Sequence, residues 1–82
     1  MEKYYMTFRS VTYAQKAQRA LEQEGQRCFL QRAPKWMSSR GCGYAIAVAD
    51  PRNAAEILKS KNAPWEKAFR VRDSETWEVP GL

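Results

Sequence analysis

The stretch Tyr44-Ala45-Ile46-Ala47-Val48-Ala49-Asp50-Pro51 decides the fold. Residues 44–49 form a continuous apolar run of strand length, which is typical of a central strand with both faces at least partly covered. Asp50 then supplies a capping side chain, and Pro51 supplies a proline at the first helical position. The stretch therefore predicts an inner strand that is followed at once by a helix.

The segments on either side alternate between strand-like and helix-like patterns. Aromatic and β-branched residues near the start favour a strand, and the helix formers after it favour a helix. Ser10 and Thr12 are both candidate caps for this helix, and Gly25 is its expected stop. The expected elements are strands over residues 3–9, 27–32, 44–49 and 65–72, and helices over 11–24 and from Pro51 to about Asn62.

The order strand, helix, strand, strand, helix, strand predicts an α+β protein. It is the pattern of a ferredoxin-like βαββαβ sandwich, with a four-stranded antiparallel sheet and two helices on one face. A chain of 82 residues is long enough for one domain. We expect this domain to occupy residues 1–73 and a loosely held C-terminal tail to occupy 74–82, from which Trp77 could dock on the body.

Alternation within the strands predicts which side chains reach the core. In the second strand Cys28 and Leu30 point one way, so Cys28 is interpreted as a structural residue. In the last strand Phe69 and Val71 are expected to face the core, and the arginines that alternate with them are expected to face solvent.

The composition limits the kinds of function. The chain carries 14 basic and 9 acidic residues and no histidine, a formal net charge of +5. This charge favours an anionic partner, such as nucleic acid or an acidic protein surface, or serves only to keep the protein soluble. Without histidine we expect no zinc site and no Cys-His nucleophile pair. We also expect no cofactor. The sequence shows neither a signal peptide nor a membrane-spanning run, so we expect a cytoplasmic protein with reduced thiols.

A loop between the second and third strands holds the main chemical candidate. It runs from Pro34 to Gly43 and is longer than a tight hairpin needs. Cys42 stands between Gly41 and Gly43, and Arg40 precedes it by two positions. A nearby positive charge favours the thiolate, the form that attacks sulfur. Cys42 is therefore either a reactive thiol that carries sulfur or selenium, or a small half-buried residue at the start of a strand.

The other polar groups of the loop suit an anionic adduct. Serine hydroxyls can donate hydrogen bonds, and backbone N–H groups beside glycines can form a concavity that holds an anion. The predicted site has Cys42 as its reactive residue, and Arg40, Gly41, Gly43, Ser38, Ser39 and Lys35 as the groups that hold the persulfide or selenide.

A second hypothesis uses the basic residues of the second strand and its loop. Arg27, Arg32 and Lys35 lie near Tyr5 and Phe29, and this combination imitates the surfaces of ferredoxin-like RNA binders. The protein would then be a binding or regulatory module that contacts RNA or a protein partner through a basic sheet edge. The chain shows no match to the two aromatic motifs of RNA-recognition domains. A homodimer through the exposed sheet face is also compatible with the sequence.

Two stretches carry a resemblance to a known family. They are Tyr4-Tyr5-Met6-Thr7-Phe8-Arg9-Ser10, and Pro34-Lys35-Trp36-Met37-Ser38-Ser39 leading to Cys42-Gly43. Over most of residues 4–71 the chain resembles a small bacterial family of selenium/sulfur carrier-like proteins. The resemblance implies that Cys42 is the family cysteine. It also implies that the protein passes sulfur or selenium from a donor protein to an acceptor protein, as a carrier rather than a stand-alone enzyme.

Overall fold

The computed structural model describes residues 2–34, 43–73 and 75–79. These residues form an α+β structure, as predicted, with one strand more than the sequence pattern suggests. In chain order the elements are β1 (Glu2–Phe8), α1 (Val11–Gln23), β2 (Cys28–Arg32), β3 (Tyr44–Val48), α2 (Pro51–Ser60), β4 (Ala68–Arg72) and β5 (Glu75–Glu78).

The apolar run forms β3, an inner strand of one antiparallel sheet. The strand order is β2-β3-β1-β4-β5, so β3 pairs with β2 on one side and with β1 on the other. Ala45 and Ile46 point to opposite faces of the sheet, and both are fully buried. Both faces of the strand are therefore at least partly covered, as the sequence predicts.

The sheet has five strands in the described chain, and the prediction of four is wrong. β5 pairs in antiparallel fashion with the outer edge of β4. Beyond it, the Val79 N–H donates a hydrogen bond of 2.8 Å to the Ala68 carbonyl. The Trp77 ring centre lies 5.3 Å from the Arg70 guanidinium, a distance at which a cation and an aromatic face attract each other. The predicted boundary between the domain and its tail, after residue 73, stays a prediction.

Both helices begin at the residue types that the sequence indicates. The Ser10 hydroxyl accepts a hydrogen bond of 3.4 Å from the Tyr13 N–H at the start of α1. The Asp50 carboxylate accepts one of 3.2 Å from the Asn53 N–H at the start of α2. Each contact satisfies an N–H group of the first turn. Gly25 follows α1 with a φ of 76°, a conformation that glycine adopts readily. Neither helix in the described ranges is long and apolar enough to cross a membrane.

The core lies between the two helices and one face of the sheet. Its largest fully buried side chains are Met6 on β1, Leu21 on α1, Ile46 on β3 and Leu58 on α2. Alanines line the inner sides of both helices, which lets the helices approach the sheet closely. Burial of a large apolar side chain contributes about 1.5–3 kcal/mol, so this cluster supplies most of the driving force for folding.

The side of the sheet opposite the helices is called the open face below. Its side chains alternate along each strand with those of the core. They are Lys3, Tyr5 and Thr7 on β1, Phe29 and Gln31 on β2, Ala45 and Ala47 on β3, and Phe69 and Val71 on β4, with Arg27 and Ala49 just beyond the strand ends.

The predicted orientation of β4 is wrong. Met6 is opposite Ala68 in the pairing of β1 with β4, and Ala68 is 3% exposed within the core. Phe69 therefore points to the open face, and Arg70 points to the helix side. Arg70 is accommodated there because its guanidinium lies against the Trp77 ring of β5, a strand that the sequence pattern does not predict.

Candidate functional site

Most of the predicted site lies outside the described residues. This holds for the reactive cysteine and for five of the six residues expected to hold the anion. The residues outside the described ranges are Cys42, Arg40, Gly41, Ser38, Ser39 and Lys35, and the one inside them is Gly43.

The structure describes both ends of the loop that carries these residues. Arg32 is opposite Tyr44 in the last pair of the β2–β3 ladder. One step further, the Ala33 N–H donates a hydrogen bond of 3.1 Å to the Gly43 carbonyl. The residue that follows Cys42 in sequence is therefore tied to the sheet, and it is directly continuous with the inner strand β3.

Cys28 occupies the structural position that the sequence predicts. It is half-buried and packs against the core from the helix side of β2, together with Leu30. Its Sγ donates a long hydrogen bond of 3.9 Å to the carbonyl of Gln18 on α1. The thiol is therefore directed at a backbone acceptor in the helix layer.

The electrostatic surroundings of Cys28 favour the protonated form. Burial raises the pKa of the Cys28 thiol, because a charged sulfur is poorly solvated there, and the negative charge of Glu22 raises this pKa further. A reactive cysteine needs the opposite conditions, with positive charge nearby and an accessible sulfur. Cys28 therefore lacks the features of a sulfur-accepting thiol.

Cys28 and Gly43 lie at opposite ends of the β2–β3 pair. Cys28 is opposite Val48, and the ladder ends with Ala33 beside Gly43. At about 3.4 Å per residue, the five steps from Cys28 to Ala33 span about 17 Å. A disulfide needs Cα atoms within about 7 Å of each other. The Gly43 end of the pair is therefore more than twice that distance from Cys28.

The predicted basic edge is divided between two faces. Arg27 alternates with Cys28 and lies on the side of the open face, whereas Arg32 shares the side of Cys28. Lys35, the third member, lies outside the described residues. The described residues therefore do not form the single basic surface that the sequence suggests.

A groove on the open face combines aromatic and basic side chains. It has a volume of about 670 Å³, and its lining includes Lys3, Tyr5, Arg27, Phe29 and Ala47. The two aromatic residues and Arg27 are predicted from the sequence to belong to a binding surface, whereas Lys3 and the groove itself are not. The available signal was the alternation of alanines at 45, 47 and 49, which leaves one face of β3 without large side chains.

The described residues do not bring together three His, Cys, Asp or Glu side chains that could hold a metal ion. Their ion pairs are exposed ones, such as Arg9 with Glu66 at 3.6 Å and Lys67 with Glu78 at 3.7 Å. Exposed pairs of this kind contribute at most about 1 kcal/mol each and are typical of solvated surfaces.

Comparison with known protein families gives a match over most of the chain. A family model described as "Putative Se/S carrier protein-like" matches residues 3–70. The match extends from β1 into β4, and it includes the loop between β2 and β3. No curated protein matches the chain.

Proposed function

Because this chain belongs to the Se/S carrier protein-like family, we propose that it carries sulfur or selenium on the thiol of Cys42. The family match over residues 3–70 is the observation that carries the proposal, because it includes the loop with the predicted reactive residue. The cargo comes from a donor protein and passes to an acceptor protein. The chain itself is a carrier and not a stand-alone enzyme.

The transfer is an exchange at sulfur. The Cys42 thiolate attacks the outer sulfur of a persulfide on the donor, the sulfur–sulfur bond of the donor breaks, and its electron pair leaves with the donor thiolate. Cys42 then holds the persulfide, and the exchange needs no external oxidant or reductant. A selenium atom bound to a donor sulfur would move by the same exchange. The acceptor removes the cargo in a second step of the same kind.

The remaining groups of the loop have roles that follow from the charge of the adduct. A persulfide or selenide is an anion, so positive side chains and hydrogen-bond donors stabilise it. Arg40 and Lys35 supply charge, Ser38 and Ser39 supply hydroxyl donors, and the backbone around Gly41 and Gly43 supplies N–H groups.

The environment of Cys28 supports the choice of Cys42. Burial and Glu22 both raise the pKa of Cys28, and its Sγ is directed at the Gln18 carbonyl. Of the two cysteines in the chain, Cys28 is thus poorly suited to accept sulfur. Its distance of about 17 Å along the strands from Ala33 and Gly43 supports a mechanism with a single working thiol.

We also propose a ferredoxin-like topology and a cytoplasmic location for this protein. The order β2-β3-β1-β4, with both helices packed into one core, supports a ferredoxin-like arrangement to which β5 is added at one edge. A cytoplasmic location suits the mechanism, because a reducing compartment keeps a lone thiol available for exchange.

Intact-mass spectrometry tests the proposal. The protein is incubated with a low-molecular-weight persulfide and compared with its Cys42→Ser and Cys28→Ser variants. We expect the wild type and Cys28→Ser to gain the mass of one sulfur atom, and Cys42→Ser to gain none. An adduct that survives in Cys42→Ser and disappears in Cys28→Ser would overturn the assignment, and so would the absence of any adduct on the wild type.

A further inference from the structure

The groove on the open face exposes a large aromatic side chain. Phe29 is 71% exposed, the highest value among the large apolar side chains of the described residues that remain exposed. It lies on β2, and Tyr5 lies two strands away on β1, with both residues opposite Ala47 on β3. Among the described residues, the small Ala47 side chain leaves a groove between the two aromatic residues.

Two cations stand at the same end of this groove. Lys3 precedes Tyr5 by two residues on β1, and Arg27 precedes Phe29 by two residues beside β2. Because β1 and β2 both run antiparallel to β3, they run parallel to each other. Each aromatic residue therefore has a cation about 7 Å away along its own strand. Within the described ranges no carboxylate forms an ion pair with either cation.

The dimensions suit flat rings that are linked by negative charges. Adjacent strands lie about 4.8 Å apart, so the backbones of β1 and β2 are about 10 Å apart across Ala47. A planar group can enter this space and stack on an aromatic ring. A negative charge attached to that group can then lie against the cation about 7 Å away, which is close to the spacing of successive nucleotides in a strand. A nucleotide combines both features in every unit of the chain.

We propose that this groove binds single-stranded nucleic acid without strict sequence preference. Bases stack on the rings of Phe29 and Tyr5, and phosphates lie against Lys3 and Arg27. The net charge of +5 for the whole chain adds a general attraction for the same ligand. The proposal is independent of sulfur transfer at Cys42, because none of these residues belongs to the loop.

Charge favours this occupant over a second copy of the chain. Two open faces packed together would bring the two cations of one groove close to those of the other, at a cost in like-charge repulsion. An acidic peptide satisfies the cations, but it supplies flat rings only where its own sequence places them. Every nucleotide of a nucleic acid supplies both a flat ring and a negative charge, wherever along the strand the groove binds.

Fluorescence anisotropy with a labelled 12-nucleotide oligouridine tests the proposal. We expect the wild type to bind with a dissociation constant of roughly 1–100 µM at physiological salt, the range usual for sequence-independent contacts. Phe29→Ala removes a largely exposed ring and leaves no cavity, so its fold should persist, and its affinity should fall roughly 5- to 100-fold. Tyr13→Ala is the matched control, since it removes a ring that is 44% exposed on α1, and it should leave the affinity within about twofold.

The salt dependence separates phosphate contacts from a structural effect. Replacing both cations, as in the double variant Lys3→Gln/Arg27→Gln, should lower the slope of log affinity against log salt concentration by about 1.4, at 0.7 for each phosphate contact on a single strand. The double variant Lys16→Gln/Arg19→Gln on α1 is the control and should keep the wild-type slope.

Several results would overturn the proposal. They are the absence of binding to the oligouridine up to millimolar protein, equal loss in the Phe29 and Tyr13 variants, and tighter binding to a polyglutamate peptide of the same net charge. A dimer in sedimentation equilibrium that Phe29→Ala dissociates would assign the groove to a second copy instead. None of these outcomes changes the result of the persulfide experiment, so the two proposals can fail separately.

Discussion

The slow reaction of Cys28 is a prediction that follows directly from its contacts. In the Cys42→Ser variant, Cys28 is the sole thiol of the chain. We expect iodoacetamide to alkylate it at pH 7 at least about tenfold more slowly in the folded protein than in urea. Both burial and charge contribute to this difference.

The magnitude is set by the thiolate fraction and by access. The ordinary pKa of a cysteine thiol is 9.0, and a pKa two units above the pH leaves about 1% thiolate. Burial and Glu22 raise the pKa of Cys28 above that value, so the reactive fraction is smaller still. The contact of Sγ with the Gln18 carbonyl reduces access further. Urea removes all three effects.

The assay is a time course of alkylation followed by mass spectrometry of the Cys28 peptide, repeated from pH 6 to pH 10. In the folded protein the rate should reach half its maximum at a higher pH than in urea, because folding raises the pKa of the Cys28 thiol. Equal rates with and without urea at pH 7, or a plateau below pH 8, would refute this account of the site. The same shift predicts the sign of a stability effect. The protonated thiol is favoured by folding, so its contribution is complete below the ordinary pKa and is lost as the pH rises through the higher folded pKa.

Two stability predictions rest on hydrogen bonds of the fold, and urea denaturation measures both. The buried Thr7 hydroxyl accepts a hydrogen bond of 3.1 Å from the Lys67 N–H and donates one of 3.3 Å to the Lys67 carbonyl, so Thr7→Val should lower the free energy of unfolding by about 1–3 kcal/mol. Thr12→Val on the exposed side of α1 should change it by less than about 0.5 kcal/mol, and equal effects of the two variants would contradict the role of Thr7. Asp50→Ala should cost about 1 kcal/mol through loss of the α2 cap. Glu56→Ala on the exposed face of α2 is its control, and a cost no larger than that of the control would show that the cap contributes little.

The parts of the fold that depend on local chemistry were predictable from sequence. The apolar run and Asp50-Pro51 specify a strand and a helix start within eight residues, and the structure has both there. β5 was not predictable in this way, since all four of its residues are exposed and its sequence mixes charge with one aromatic residue. It exists because β4 offers an edge to pair with. Asp73 permits the turn between the two strands by adopting a φ of 55°.

The two candidate sites also differ in how far local sequence predicts them. The limits of the Cys42 loop were visible locally, because Pro34 ends one strand and the glycines precede the next, and the described ends at Ala33 and Gly43 agree with those limits. The groove depends on register between strands that are far apart in sequence. Tyr5 and Phe29 become neighbours across Ala47 only when β1 and β2 both pair with β3, and no short-range pattern encodes that meeting.

The separation between Cys28 and the Gly43 end of the β2–β3 pair has a consequence for how cargo would leave. Many thiol proteins release their cargo by forming an intramolecular disulfide. The rate of this release does not depend on whether an acceptor is present. If Cys42 is the single working thiol, as proposed, no intramolecular disulfide forms, and the bound sulfur or selenium stays in place until another molecule supplies a nucleophile. The acceptor would then determine when the cargo is released, and the concentration of the acceptor would set the rate of transfer.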